Sequence, residues 1–149
     1  MQLTQKELTL IKDLKDQEQL CIDKYTKHAG CAVDSQLKAL FTGIAGTERK
    51  HLETLTQIEG GTVPSLQSGD KALPTFHAVY TQTENEDKKN DCYLCTDLLT
   101  TEKHASHLYD TCIFEFKDSG VRQVLAHIQE EEQQHGKSIY DYMETNSMY

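Results

Sequence analysis

Two short patterns in the sequence combine residue types that bind metal ions. In each half of the chain, a glutamate is followed 30 residues later by a Glu-x-x-His motif. The six residues are Glu18, Glu48, His51, Glu102, Glu132 and His135. Residues three apart share a helix face, so each motif can direct a carboxylate and an imidazole at one point. Four carboxylates balance two divalent cations, and this ligand set suits Fe(II) or Mn(II). We therefore predict a site for two divalent metal ions, with iron as the first choice and manganese as the alternative.

The two motifs belong to a longer internal repeat. With a constant offset of 84 and no gap, nine residues recur within a 39-residue window. They are Asp13, Leu14, Glu18, Tyr25, Asp34, Ser35, Ile44, Glu48 and His51, which return as Asp97, Leu98, Glu102, Tyr109, Asp118, Ser119, Ile128, Glu132 and His135. A single Glu-x-x-His motif usually marks a solvated helix face. Here the repeat contains every residue type that the site needs, and apolar residues at helical spacing put both motifs on an inward face.

Two tyrosines lie at a fixed distance from the predicted ligands. Tyr25 and Tyr109 come seven residues after Glu18 and Glu102, which is two turns along the same helix face and about 10 Å away. The leading interpretation is a core tyrosine whose hydroxyl is hydrogen-bonded. The alternative is a redox tyrosine beside a metal centre, since the spacing resembles the pattern of bacterioferritins. No residue is assigned as catalytic.

The composition predicts an all-α protein. The chain has 149 residues, with two prolines and eight glycines, and is rich in residues that favour helices. Periodicity and capping signals predict four helices. They run from about 5 to 29, from Asp34 or Ser35 to Gly60-Gly61, from about 86 to 117, and from the turn at Asp118-Ser119-Gly120 to about 144.

These helices predict a single domain over residues 1–149 that is built from two repeated hairpins. The first hairpin covers about 5–60 and the second about 86–144, and a long crossover over about 61–86 joins them. An up-down-up-down bundle would use a short loop at this point, whereas a long crossover is the connection of ferritin-like bundles. The predicted fold is therefore a ferritin-like four-helix bundle.

Charge and cysteine content limit the classes of partner. A formal charge of -9 without a local Lys/Arg cluster argues against nucleic acid. No apolar run is long enough for a membrane span, and residues 1–6 do not open a secretory signal, so we expect synthesis in the cytoplasm. We interpret the five cysteines as reduced thiols, including Cys92 and Cys95, because zinc would need two further ligands. A homodimer through helix faces is a further prediction.

From Asp97 to its end the chain resembles the spore coat protein F (Coat F) family. The resemblance is carried by the stretches 97–103, 109–116, 121–125 and 127–136, and by the ending 139–143 with Met148-Tyr149. It implies a ferritin-like coat component that is made in the mother cell, deposited in the spore coat and surrounded by other coat proteins. Glu102, Glu132 and His135 match that family's motif. Glu18, Glu48 and His51 instead depend on the internal repeat and on a general similarity to ferritin-like proteins.

Two functions remain open from the sequence. The first is a spore coat component that binds a di-metal centre, with di-iron favoured. The alternative is a ferritin-like di-iron oxidase or peroxide-scavenging enzyme. A rubrerythrin-type peroxidase is less similar, because Leu99 and Ala105 stand where a further helix 3 glutamate would lie.

Overall fold

The computed structural model describes residues 1–66 and 72–149, and within these residues it contains four α-helices and no strand. The helices are α1 (Gln5–Cys31), α2 (Ser35–Glu59), α3 (Glu86–Glu115) and α4 (Ser119–Thr145). The prediction of an all-helical chain with four helices is therefore confirmed, and the predicted ends differ from the observed ends by no more than two residues. Among the described residues, no helix is long and apolar enough to cross a membrane.

Each helix begins at a polar side chain that accepts a hydrogen bond from a backbone N–H of the first turn. These N-cap residues are Thr4, Asp34, Asn85 and Asp118. Thr4 forms a complete capping box, because its own N–H also donates to Glu7 Oε2 at 2.7 Å. At the other end of α2, Gly61 has a φ of +91°, a left-handed conformation that glycine adopts without steric cost. The sequence thus encodes the helix boundaries locally.

All neighbouring helices of the bundle run antiparallel. Short turns pair α1 with α2 and α3 with α4, and the two hairpins meet through α1 against α3 and α2 against α4. Tyr25 on α1 donates a hydrogen bond to Glu102 on α3, whereas Tyr109 on α3 donates one to Glu18 on α1. The later residue of each helix therefore lies level with the earlier residue of the other, so α1 and α3 run in opposite directions. His51 meets Glu131 whereas His135 meets Glu48, and the same follows for α2 and α4.

The connection between α2 and α3 begins and finishes at opposite ends of the bundle. Glu59 at the end of α2 pairs with Lys15 near the start of α1, whereas Asp91 near the start of α3 bonds the turn between α1 and α2. The later part of the connection is fixed by Asn146, whose Oδ1 accepts from the N–H groups of residues 79 and 80. The predicted crossover includes residues 67–71, which lie outside the described residues.

A buried acid near the start of each hairpin binds the turn of the other hairpin. Glu7 Oε1 accepts from the N–H of Lys117 at 3.0 Å, and Asp91 Oδ1 accepts from the N–H of Val33 at 2.8 Å. Glu7 and Asp91, like Val33 and Lys117, are 84 residues apart. The sequence analysis missed this pair because the two acids differ in type. Only their shared offset could have indicated it.

Replacing Asp91 with alanine should lower the free energy of unfolding substantially. Asp91 is fully buried and accepts from the N–H groups of Val33 and Asp34 and from the hydroxyl of Tyr80. Because the substitution leaves these donors without their acceptor, we expect the free energy of unfolding in urea to fall by an amount on the order of 3 kcal/mol. Asp87→Ala on the exposed face of the same helix is the control, with an expected loss of at most about 1 kcal/mol. Equal losses in the two variants would contradict this role for Asp91.

The hydrophobic core consists of two clusters separated by a charged layer. On every helix, the glutamates and histidines of the two motifs lie between residues of one cluster and residues of the other. Helical spacing in the sequence predicts that the inward face of helix 3 consists of Cys95, Leu98, Glu102, Ser106, Tyr109, Ile113 and Phe116. Two of these positions are wrong, because Ala105 and Cys112 are fully buried whereas Ser106 and Ile113 are only half-buried. The other five predicted positions are buried.

Candidate metal centre

The six predicted ligands lie together in the charged layer at the middle of the bundle. All are buried, with exposed fractions between 0 and 8%. Their potential ligand atoms form two groups, and within each group the atoms lie within 4.8 Å of one another. One group is Glu18, Glu48, His51 and Glu132, and the other is Glu48, Glu102, Glu132 and His135. Glu48 and Glu132 belong to both groups, so their carboxylates would be shared if both groups held an ion.

Several polar atoms of this cluster have no hydrogen-bond partner among the described residues. They are Glu18 Oε2, Glu48 Oε1, Glu102 Oε2, Glu132 Oε2 and His135 Nδ1. His135 Nδ1 lies 3.0 Å from Glu48 Oε1, but the contact lacks the alignment of a hydrogen bond. Buried polar atoms without partners are costly. Cations between these atoms would satisfy them, so the residues fit a pair of divalent ions.

The two histidines face each other across the shared glutamates. Their ring centroids are 6.1 Å apart. His51 Nδ1 lies 3.3 Å from Glu48 Oε2 and 3.2 Å from Glu132 Oε1. His135 Nδ1 lies 3.4 Å from Glu132 Oε2. In both rings, therefore, Nδ1 is the nitrogen that points at the candidate metal positions.

A glutamate that the sequence analysis did not select orients one of the rings. Glu131 Oε1 lies 3.2 Å from His51 Nε2 and 3.4 Å from Nε2 of His127. A carboxylate on the second nitrogen of a metal-binding histidine fixes the ring's tautomer and orientation. Position 47, the equivalent of Glu131 in the first hairpin, is threonine. The internal repeat therefore gave no signal for Glu131.

Burial and mutual contact shift the pKa values of the cluster in opposite directions. Burial, with the neighbouring carboxylate of Glu48, raises the pKa of Glu18 to about 8. Burial and the nearby Glu102 raise the pKa of Glu132 well above its usual range. Burial alone would raise the pKa of Glu48, but the proximity of Glu18 and the two histidines holds it below its usual range. The metal-free cluster thus retains protons on some of its carboxyl groups near neutral pH.

The two histidines are held in their protonated form by the surrounding carboxylates. Burial alone would lower the pKa of His51 and His135. The surrounding glutamate carboxylates, which lie 3.0 to 3.7 Å from the ring nitrogens, outweigh it and raise both pKa values well above the usual range. Protonated imidazoles partly offset the buried negative charge. A divalent cation competes with these protons, because it needs neutral imidazole and ionised carboxylate.

Tyr25 and Tyr109 are fully buried, and each donates a hydrogen bond to a glutamate of the other hairpin. The hydroxyl of Tyr25 lies 2.5 Å from Glu102 Oε1, and that of Tyr109 lies 2.5 Å from Glu18 Oε1. Burial and these glutamates raise the pKa of both phenols, which therefore stay protonated. In the structure both tyrosines are core residues with bonded hydroxyls. The sequence could not show that the bond crosses between the hairpins.

Removing one of these hydroxyls should weaken both the fold and metal binding. In Tyr25→Phe, Glu102 would lose the donor to Oε1, and its Oε2 already lacks a partner. We expect a loss of about 1.5 to 3 kcal/mol in unfolding free energy and roughly 10- to 100-fold weaker metal binding, measured by competition with a coloured chelator. Tyr142→Phe is the control, since that hydroxyl bonds Asp34 away from the cluster. An equal loss of affinity in both variants would contradict the orienting role.

The remaining histidines and cysteines lie outside the cluster. His28 Nε2 lies 2.8 Å from Asp97 Oδ2, a contact between α1 and α3 that no sequence pattern indicated. His104 and His107 are exposed. All five cysteines are free, and of the Cys-x-x-Cys pair Cys95 is buried whereas Cys92 is half-buried.

Comparison with known protein families gives one match. Residues 90–149 match the family model of the Coat F domain. The match supports the Coat F family and suggests a spore coat component with a spore coat localisation. It covers Glu102, Glu132 and His135 but not the three predicted ligands of the first hairpin. No curated protein and no solved structure is detectably similar to the chain.

Proposed function

We propose that this protein is a spore coat component whose ferritin-like bundle binds two divalent metal ions, iron in the first place and manganese as the alternative. The ligands are Glu18, Glu48, His51, Glu102, Glu132 and His135. The observation that carries the proposal is the set of buried, unpartnered ligand atoms at the junction of the two hairpins.

Charge supports two cations over one. Four ionised carboxylates and two neutral imidazoles carry four negative charges, which two divalent ions neutralise. Without cations, the same groups must share protons in a region that excludes water, which the opposing pKa shifts of Glu18 and Glu48 reflect. The mixed oxygen and nitrogen ligand set suits Fe(II) and Mn(II) better than metals that prefer sulfur.

The connectivity supports the ferritin-like assignment. A pair of antiparallel hairpins, an end-to-end connection and one Glu plus one Glu-x-x-His motif from each hairpin are the features of ferritin-like di-metal bundles. The internal repeat supplies one Glu and one Glu-x-x-His motif from each hairpin, so the two proposed ligand groups are equivalent under the offset of 84 residues.

Metal content tests this proposal directly. The protein is purified without chelator, loaded anaerobically with Fe(II) or Mn(II), desalted and analysed by mass spectrometry of the elements. We expect about two metal ions per chain. Wild-type protein that retains no metal after anaerobic loading would overturn the metal site and leave a bundle with a purely architectural role.

A second candidate function is oxidation of the bound metal by oxygen or peroxide. Two buried tyrosines that bond ligand glutamates favour it, because a nearby phenol can supply an electron. If the site held two Fe(II) ions, they would supply two electrons to the oxidant. Tyr25 and Tyr109 hold the glutamates in position, and both phenols remain protonated before the oxidation.

Kinetics of oxidation separate the two functions. The Fe(II)-loaded protein is mixed with oxygen or peroxide, and the near-ultraviolet absorbance of oxidised iron is followed against free Fe(II) at the same concentration. The enzyme hypothesis expects faster oxidation by the protein and a changed rate in the Tyr25→Phe, Tyr109→Phe double variant. Oxidation no faster than that of free Fe(II) would exclude the enzyme and leave a coat component with a bound metal.

The location proposed for the protein is the spore coat, after synthesis in the mother-cell cytoplasm. Its partners there would be other coat proteins or a second copy of the chain. A fluorescent fusion in sporulating cells tests this proposal through the time and place of its appearance. Signal confined to vegetative growth, or to the interior of the spore, would contradict it.

A further inference from the structure

A groove of about 510 Å³ between α3 and α4 leads from the surface to the candidate metal centre. Its floor includes Glu102 and Glu132, and each of these carboxylates has a buried Oε2 without a hydrogen-bond partner among the described residues. Its walls include Ser106 and Gly136. The groove therefore reaches the side chains of two proposed ligands.

The internal repeat shows which side chains keep this groove open. At the equivalent positions of the first hairpin, 84 residues earlier, Ile22 replaces Ser106 and Leu52 replaces Gly136. Ile22 is buried and Leu52 half-buried, so their side chains fill the space between α1 and α2. The ligands are repeated in both hairpins, but the two small wall residues occur only in the second.

The outer part of the groove carries polar and charged side chains. His107, Asp110 and Lys103 are exposed and contribute to its lining. The chain as a whole carries a formal charge of -9, which raises the local concentration of cations at its surface. His107 and Asp110 could replace water molecules around a hydrated divalent ion, whereas the ammonium group of Lys103 cannot act as a ligand.

We propose that metal ions enter the centre through the groove between α3 and α4, and that Ser106 and Gly136 are the residues that keep this route open. This inference rests on the proposed metal site and adds the route by which ions reach it. The group of Glu48, Glu102, Glu132 and His135 receives the first ion, because Glu102 and Glu132 form the floor of the groove. The second ion would reach the group with Glu18 and His51 by way of Glu48 and Glu132, the glutamates that both groups share.

The proposal predicts that filling the groove slows metal uptake without removing the site. A Cβ added at Gly136 would lie 3.6 Å from Leu99 Cδ1, an ordinary contact, so the position tolerates a side chain. The test uses metal-free protein and Co(II), whose visible absorption reports binding, in a stopped-flow instrument. The variants are Ser106→Ile, Gly136→Ala and the double Ser106→Ile, Gly136→Leu, which copies the first hairpin.

We expect the double variant to bind Co(II) at least an order of magnitude more slowly, with intermediate rates for the single variants and an unchanged final content of about two ions. Gly46→Leu on α2 is the control, because a Cβ there meets no atom within 4 Å and the position lies outside the groove. Circular dichroism checks that each variant is folded. If the double variant is not folded, the uptake rate of the conservative Gly136→Ala variant tests the proposal in its place.

Two different failures are distinguishable. Unchanged uptake rates in folded variants that reach full content would overturn the route but leave the metal site intact. A wild-type protein that binds no Co(II) would overturn the metal site itself and, with it, the route.

Discussion

Alanine in place of Glu132 should abolish binding of both metal ions, whereas alanine in place of His51 should remove only one. The reason is geometric, because Glu132 and Glu48 belong to both groups of ligand atoms while His51 belongs to one. Removing a shared carboxylate also takes one negative charge from both positions. We expect the metal content to fall from about two ions to nearly none in Glu132→Ala and in the Glu48→Ala, Glu132→Ala double variant, and to about one in His51→Ala.

Elemental analysis of anaerobically loaded, desalted protein measures these contents. The matched control is Glu130→Ala, an exposed glutamate two residues before Glu132 on the same helix. It should retain the wild-type content. Loss of a single ion in both Glu132→Ala and His51→Ala would show that the shared position is not a bridge, even if metal binds.

The metal-free protein should lose stability as pH rises from about 6 to 9, and metal should reverse this trend. The pKa values of His51 and His135 are raised in the folded state, so their contribution is complete below the unfolded value of 6.5 and disappears as pH passes their folded values. Glu18, with a pKa of about 8, acts in the same direction, because the folded state holds a proton that the unfolded state releases above 4.5. Glu48 has a lowered pKa and loses its contribution only in acid.

Bound metal replaces these protons, so its stabilising effect should grow with pH. At a free concentration about 100 times the dissociation constant, binding of one ion adds about 2.7 kcal/mol, or roughly 5 to 10 °C in melting temperature. Thermal unfolding between about pH 6 and 9, with and without Mn(II), measures both effects. A metal-free melting temperature that increases over this range would contradict the assignment of the buried protons. The His51→Ala variant should show a weaker pH dependence than wild type.

The sequence by itself determined the helices, because their signals are local. N-cap residues such as Thr4 and Asp34, the glycines after Glu59 and apolar residues at helical spacing act within one or two turns. The six candidate ligands were also recognisable, since a constant offset of 84 repeats Glu18, Glu48 and His51 as a set. Two motifs that recur together with their apolar neighbours must occupy equivalent positions if the hairpins pack alike.

Only the tertiary structure decided which side chains meet across the hairpins. Tyr25 lies on α1 with Glu18 but bonds Glu102, and Glu131 reaches His51 from another helix. The burial of Ala105 and Cys112 instead of Ser106 and Ile113 depends on how α3 packs against its neighbours, which one helix alone does not specify. A sequence pattern fixes the face that a helix buries to within about one residue, and the packing of four helices selects among the remaining rotations.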